Sequence, residues 1–172
     1  MPALAPVLQC LRVLESELAR YEKQIEHLAA VSYPETARLS QVGGVGPITA
    51  LAFVLTIEEP GRFTASRTMG AFIGLTPAKD QSGESDPQKR ITKAGDPFLR
   101  RLLVQCAHYI LGPFGQDSDL RRWGLRLAER GGTAAKKKAI VAVARKLAVL
   151  LHRLWVSGKD YQAIGYASRA AA

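Results

Sequence analysis

Apolar residues along the first 33 positions recur every seven residues. Leu4, Leu11, Leu18 and Ile25 hold one seam position, and Val7, Leu14, Tyr21 and Leu28 hold the other. A seven-residue period is what a helix needs to keep an apolar seam facing a second helix, so residues 1–33 predict a coiled-coil helix that Pro34 ends. The seam edges carry Glu15, Glu17 and Glu22 without a basic counterpart, and an identical parallel partner would set Glu17 opposite Glu22. Pairing is therefore not helped electrostatically, and the same stripe also reads as one amphipathic helix packed on its own domain.

Beyond Pro34 the pattern shortens into brief helices broken by Gly and Pro. Residues 79–93 show neither helical nor strand periodicity and read as a polar loop, of a length that usually carries function. Asp96 and Pro97 then form a helix start, with Phe98, Leu99, Leu102, Leu103, Cys106 and Ile110 at helical spacing and Gly112-Pro113 as the stop. Further helices are expected over about residues 118–130 and 134–156, the last with Ile140, Val143, Leu147, Leu150, Leu151 and Leu154 on its apolar face. No segment demands a strand. The expected architecture is all-α or mainly α: a coiled-coil helix over 1–33, a helical domain over 34–130, and a C-terminal helix and tail over 131–172.

A chain of 172 residues, 47% hydrophobic and 23% charged, is long enough for a core and too apolar for a disordered segment. Its most apolar stretch, residues 50–57, is far shorter than the ~20 residues that span a bilayer. No basic residue precedes Arg12 and no signal-like apolar core follows, so no membrane association is expected and the cytoplasm is the expected compartment. Cys10 and Cys106 lie too far apart in sequence for a metal knuckle and read as packing residues. His27, His108 and His152 are scattered and read as helix-surface or core-edge residues. No metal site is expected, since Glu58, Glu59, Asp80, Glu84 and Asp86 fall in loops or at helix ends.

Charge is more informative in its placement than in its total of +9. Residues 1–86 hold 7 Lys/Arg against 10 Asp/Glu, a balance of −3, whereas residues 87–172 hold 17 against 5, a balance of +12. A basic half of that strength attracts nucleic acid by neutralising phosphates, or is simply a solvated surface. The run Lys136-Lys137-Lys138 is open to the same two readings.

The sharpest local motif is Leu39-Ser40-Gln41-Val42-Gly43-Gly44-Val45-Gly46-Pro47-Ile48-Thr49-Ala50. It resembles a helix-hairpin-helix, in which Gly44 and Gly46 permit a tight turn, Val45 packs between two short helices and Ala50 lets them approach. Pro47 donates no amide, so Ile48 and Thr49 would be the phosphate donors at the second helix start. A purely structural helix turn is the other reading.

That hairpin is followed in order by Arg62-Phe63, Ser66-Arg67, Gly74-Leu75-Thr76-Pro77, Ser82-Gly83, Ile91-Thr92-Lys93-Ala94-Gly95-Asp96 and Leu99-Arg100-Arg101-Leu102-Leu103. Over about residues 35–125 the chain resembles the C-terminal domain of insertion-sequence 110/116/902 transposases, relatives of the Piv DNA invertase. The resemblance implies DNA recombination in which a serine hydroxyl attacks a phosphodiester and holds the strand as a phosphoserine. The Ser-Gly of the family loop falls on Ser82-Gly83, making Ser82 the expected nucleophile; by its residue type alone it is a loop serine. Lys89, Arg90, Lys93, Arg100 and Arg101 would offset charge on the phosphoryl oxygens or hold DNA.

The family's other domain is a ribonuclease-H-like fold with an acidic, metal-binding quartet, and nothing among these 172 residues resembles it. No cofactor is therefore expected in this chain, and a divalent metal is expected only in that other domain. Implied partners are DNA, a structured guide RNA, and a second copy of the chain through residues 4–28. The reading is the DNA-binding, serine-bearing C-terminal part of an insertion-sequence transposase, inactive on its own. The alternative is a noncatalytic DNA-binding or regulatory fragment that oligomerises through its coiled coil, and a third is an assembly module.

Overall fold

The structure is a computed structural model that describes residues 4–78 and 89–165. Seven α-helices follow in order among these residues: α1 (Ala5–Ser32), α2 (Glu35–Leu39), α3 (Pro47–Ile57), α4 (Met69–Phe72), α5 (Pro97–Leu111), α6 (Asp119–Ala128) and α7 (Gly132–Ser157). Two single 3-10 turns, Pro60–Arg62 and Ser66–Thr68, link α3 to α4. The fold is all-α, and the described residues hold one isolated antiparallel bridge, Pro77 with Ile91.

Local chemistry places the helix ends. The Asp96 carboxylate accepts from the Leu99 amide at 2.6 Å and Pro97 opens α5, while the Ser118 hydroxyl accepts from the Arg121 amide at 3.1 Å and opens α6. Each satisfies an amide that has no partner within its own helix. At the far end of α5, Arg121 donates through Nη1 to the carbonyls of Ile110 and, at 2.6 Å, Gly112. A guanidinium there satisfies orphan carbonyls and complements the negative helix end.

The core is built around α7, which packs against α4, α5, α6 and both 3-10 turns. Val143, Ala144, Leu147, Ala148, Leu151 and Leu154 are fully enclosed, meeting Leu99, Leu103 and Ala107 of α5 and Phe53, Val54 and Ile57 of α3 in one continuous cluster. The alanines matter as much as the leucines, because they let α5 and α6 approach the α7 axis. Of the apolar positions expected on α5, Leu99, Leu103, Cys106 and Ile110 are buried, whereas Phe98 is 49% exposed. His152 is 1% exposed, buried beneath the two 3-10 turns rather than on the helix surface. Pro60's carbonyl can only accept, so His152 Nε2 donates to it at 3.0 Å, and Nδ1 meets the Ser66 hydroxyl at 2.9 Å. The imidazole thereby ties both 3-10 turns to α7.

The N-terminal helix behaves differently. Leu4, Val7, Leu11, Leu14, Leu18 and Tyr21 are each about half exposed or more, with Leu18 at 62%, and Ala29 is the buried residue of α1. The helix therefore does not fold its seam onto its own domain. Cys10, expected as a packing residue, is exposed on this helix because no layer among the described residues covers it. The end of α1 is pinned by Thr36, whose hydroxyl donates to the Tyr33 carbonyl at 2.7 Å and reaches that of Ala29 at 3.4 Å. Among the described residues no helix is long and apolar enough to cross a membrane.

Candidate nucleic-acid interface

Residues 40–46 turn the chain between α2 and α3. Gly44 adopts φ +91°, and a Cβ there would stand 2.8 Å from the Tyr109 ring, so torsion and space both require glycine. Gly46 was expected to share that role and does not: at φ −87° and ψ 172°, with nothing within 4 Å of a built Cβ, its backbone suits any residue. Its position is instead open and exposed. Val45 is buried between the helices and Ala50 is fully enclosed. The Ala50 amide is the first to bond back, to the Gly46 carbonyl at 3.0 Å, which leaves the Ile48 and Thr49 amides in the first turn without an intrahelical acceptor. Ile48 is exposed, whereas the Thr49 side chain is buried and accepts from the Cys106 thiol at 3.6 Å. Burial pushes the Cys106 thiol pKa up, against the lowering effect of that hydrogen bond.

The ends of the polar loop are clamped together. The Ala78 amide donates to the Arg90 carbonyl at 2.9 Å, the Thr92 amide to Thr76 at 2.9 Å, and the Lys93 amide to Gly74 at 3.1 Å. Below this ladder two backbones cross in contact. Gly74 (φ +73°) and Gly95 (φ +72°) face Ala94 and Phe72, and a Cβ would lie 2.2 Å from the Ala94 oxygen in one case and 2.0 Å from the Phe72 oxygen in the other. Arg100 bridges the crossing, donating through Nη1 to the carbonyls of Ile73 (2.9 Å) and Ala94 (2.7 Å). Its guanidinium holds the loop base rather than facing outward. Arg101 is exposed, with its guanidinium 6.0 Å from the centre of the Phe98 ring. Ser82, the expected nucleophile, lies outside the described residues, as do Gly83, Glu84, Ser85, Asp86 and Pro87.

Beside the loop base opens a cleft of about 800 Å³. One wall is α7, which contributes Lys137, Lys138, Val141, Ala142, Arg145, Lys146 and Val149. The opposite wall is the clamped arm, with Leu75, Pro77, Lys89, Arg90, Ile91 and Lys93, and Trp123 of α6 stands at the side. Seven cations thus surround an apolar floor, and no described lining residue is acidic. The Lys146 ammonium sits 4.2 Å from the centre of the Trp123 ring. Its pKa is held below the ordinary lysine value, first by partial burial and then by repulsion from Arg126. Among the described residues no group of three His, Cys, Asp or Glu side chains gathers to hold a metal ion.

Comparison with known proteins bears on this geometry. Residues 36–120, from α2 to the start of α6, match the model of the Transposase IS116/IS110/IS902 family. The transposase for insertion sequence element IS1111A of Coxiella burnetii is 30% identical over 166 residues, covering 94% of this chain and 44% of that protein. A probable family 20 transposase of Pseudomonas aeruginosa is 32% identical over 146 residues, 84% of this chain and 42% of that one. The chain belongs to the IS116/IS110/IS902 transposase family. It spans less than half the length of these curated relatives, and the transposase for insertion sequence element IS1328 of Yersinia enterocolitica, 38% identical over 110 residues, is matched over 32% of its length.

Gly74, Gly95 and Arg100 form the scaffold of the loop base. Of the cations expected to meet DNA, Lys89, Arg90 and Lys93 are brought together at the cleft. Arg145, Lys146 and Trp123 were not singled out from sequence as phosphate or base contacts. For Arg145 and Lys146 the signal was available in the stripe of α7: Lys137, Lys138, Val141, Ala142, Arg145, Lys146 and Val149 stand at offsets 0, 1, 4, 5, 8, 9 and 12, which is one helical face.

Proposed function

We propose that this chain is the DNA-engaging, serine-bearing part of a recombinase of its family. DNA backbones are held by the first-turn amides of α3 at Ile48 and Thr49 and by the basic residues around Lys89, Arg90, Lys93 and Arg101, while Ser82 is the nucleophile. The Ser82 Oγ–P bond forms as one P–O ester bond of the strand breaks, and the departing oxygen is protonated; reversal at a second strand rejoins DNA. The observation that carries this reading is the clamped arm beside the basic cleft: residues 78 and 90, which flank the Ser82 segment, are hydrogen-bonded to each other at the edge of a cation-lined wall.

Alone, the chain should cut DNA undetectably, because an unassisted serine hydroxyl is a poor nucleophile. Supplied with an acidic nuclease-like domain and a guide RNA of the family, the wild type should form a protein–DNA adduct that survives denaturation. Ser82→Ala should abolish the adduct and leave duplex affinity within about twofold, since one hydroxyl adds little to an electrostatic interface. An adduct that persists in Ser82→Ala but is lost in Ser85→Ala would reassign the nucleophile. No adduct with the wild type would favour the noncatalytic DNA-binding reading.

A second copy of the chain is the proposed partner of α1. Six consecutive seam residues face solvent, and in the helix itself Arg20 pairs with Glu17, which offsets part of the seam-edge repulsion. Sedimentation equilibrium at micromolar concentration should show a dimer or higher oligomer, and the double substitution Leu11→Glu, Leu18→Glu should return a folded monomer. A wild-type monomer at high micromolar concentration would refute it.

A further inference from the structure

The cleft beside α7 has two properties that ordinary duplex-backbone binding does not require. Its floor is apolar, formed by Val141, Ala142 and Val149 with Leu75 and Ile91 across from them, in an open cleft of about 800 Å³. A duplex presents phosphates and sugars outward and keeps its bases stacked inside, so it would satisfy the cations and leave this floor facing water. The cations are also ordered. Lys137-Lys138 and Arg145-Lys146 form two exposed pairs eight residues apart on one face of α7, ~12 Å along the helix axis, and the half-buried Val141-Ala142 step lies between them.

We propose that this cleft binds an unpaired polynucleotide strand, with phosphates on the Lys137 and Arg145-Lys146 pairs and bases lying on the apolar floor beside Trp123. The inference rests on the DNA-engaging reading above and specifies the form of nucleic acid that this part of the surface takes. Alternation of charge and apolar area along α7 matches a strand whose bases are unstacked, and cationic grooves floored by apolar or aromatic side chains are the usual means of holding such strands without reading their sequence. Arg90, Lys93, Lys137, Arg145 and Lys146, spread over both walls, favour a polyanion whose charges repeat regularly. An acidic peptide carries charge in the same sense but offers no flat π faces for the floor.

The test uses the full chain at low salt with three probes of equal length: oligo(dT), oligo(U) and a blunt duplex. Oligo(dT) or oligo(U) should bind and quench tryptophan fluorescence, and the quenching should vanish in Trp123→Phe, in which Trp155 is the remaining tryptophan. Lys137→Ala with Lys146→Ala should weaken single-strand binding by about tenfold or more and duplex binding by no more than about threefold. Lys137 is exposed and Lys146 gives up one contact with the Trp123 ring, so thermal melting should fall by no more than about 3 °C. Gly46→Glu should do the reverse, weakening the duplex most. Comparison of the oligo(dT) and oligo(U) arms identifies DNA or RNA as the source of the strand. Duplex binding without single-strand binding would overturn the cleft assignment alone. Equal losses for strand and duplex, or displacement of oligo(dT) by polyglutamate of equal charge at equal concentration, would also overturn it. Binding of neither nucleic acid would instead overturn the DNA-engaging reading itself.

Discussion

Duplex DNA binding by this chain is expected to fall by at least tenfold as salt rises from roughly 50 to roughly 200 mM. Each neutralised phosphate releases condensed counterions, so the logarithm of affinity falls with the logarithm of salt at a slope of about 0.9 per contact. Over a fourfold change in salt, about two contacts yield a tenfold loss and about four yield a hundredfold loss. The +12 balance of residues 87–172 overstates the available charge. Arg100 and Arg121 are turned onto backbone carbonyls, and Arg122 is paired with Asp117, whose pKa that hydrogen bond lowers. The effective number of duplex contacts is thus expected from Lys89, Arg90, Lys93 and Arg101 beside the first-turn amides of α3. Gly46→Glu supplies an internal check: Gly46 has ordinary torsions and open space, so the added carboxylate should fold normally and repel a phosphate near the first-turn amides. Affinity that is flat in salt, or indifferent to Gly46→Glu, would remove the hairpin from the interface.

Substituting either glycine at the loop base should have the largest effect on stability. Gly95→Ala would force a left-handed torsion on a residue with a side chain and drive its Cβ to 2.0 Å from the Phe72 oxygen; Gly74→Ala would meet the Ala94 backbone at 2.2 Å. Torsional strain and overpacking against backbone, which cannot swing aside, together cost about 3 kcal/mol. In a domain of this size that lowers the melting temperature by roughly 10 °C. Gly131→Ala is the matched control. Its φ is also positive, at +108°, but nothing lies within 4 Å of the added Cβ, so strain alone acts and the loss should be about 1 kcal/mol. If Gly95→Ala melted like Gly131→Ala, the backbone crossing would not be the clamp described here. Arg100→Ala removes the bridge across the same crossing and should destabilise less than either glycine substitution, since its two carbonyls are only partly buried.

Much of the helical layout is legible in sequence because local chemistry decides it. Asp96-Pro97, Ser118 and Gly112 mark helix ends through hydrogen bonds and torsions made within a few residues, and the structure places caps at those positions. Two boundaries moved by about two residues: α7 begins at Gly132 rather than near residue 134, since glycines are tolerated in its exposed first turn, and α6 ends at Ala128 rather than near residue 130. The glycine positions were legible as turn signals but not as distinct roles. Gly44 and Gly46 look alike in sequence, and only the nearness of Tyr109, brought by α5, shows that the first is required by space.

By itself, then, the sequence determined an all-α chain with a heptad stripe, a glycine-rich turn, a basic second half and membership of a transposase family, because periodicity, capping and motif order are properties of short stretches. Tertiary structure decided which of those charges act together. Ile91 and Lys93 line one cleft with Val141, Arg145 and Lys146 because α7 lies across from the clamped arm, some fifty residues away in sequence. It also decided that Arg100 and His152 are internal ties: a side chain's hydrogen-bond partners are set by the elements packed over it, and no local pattern carries that information.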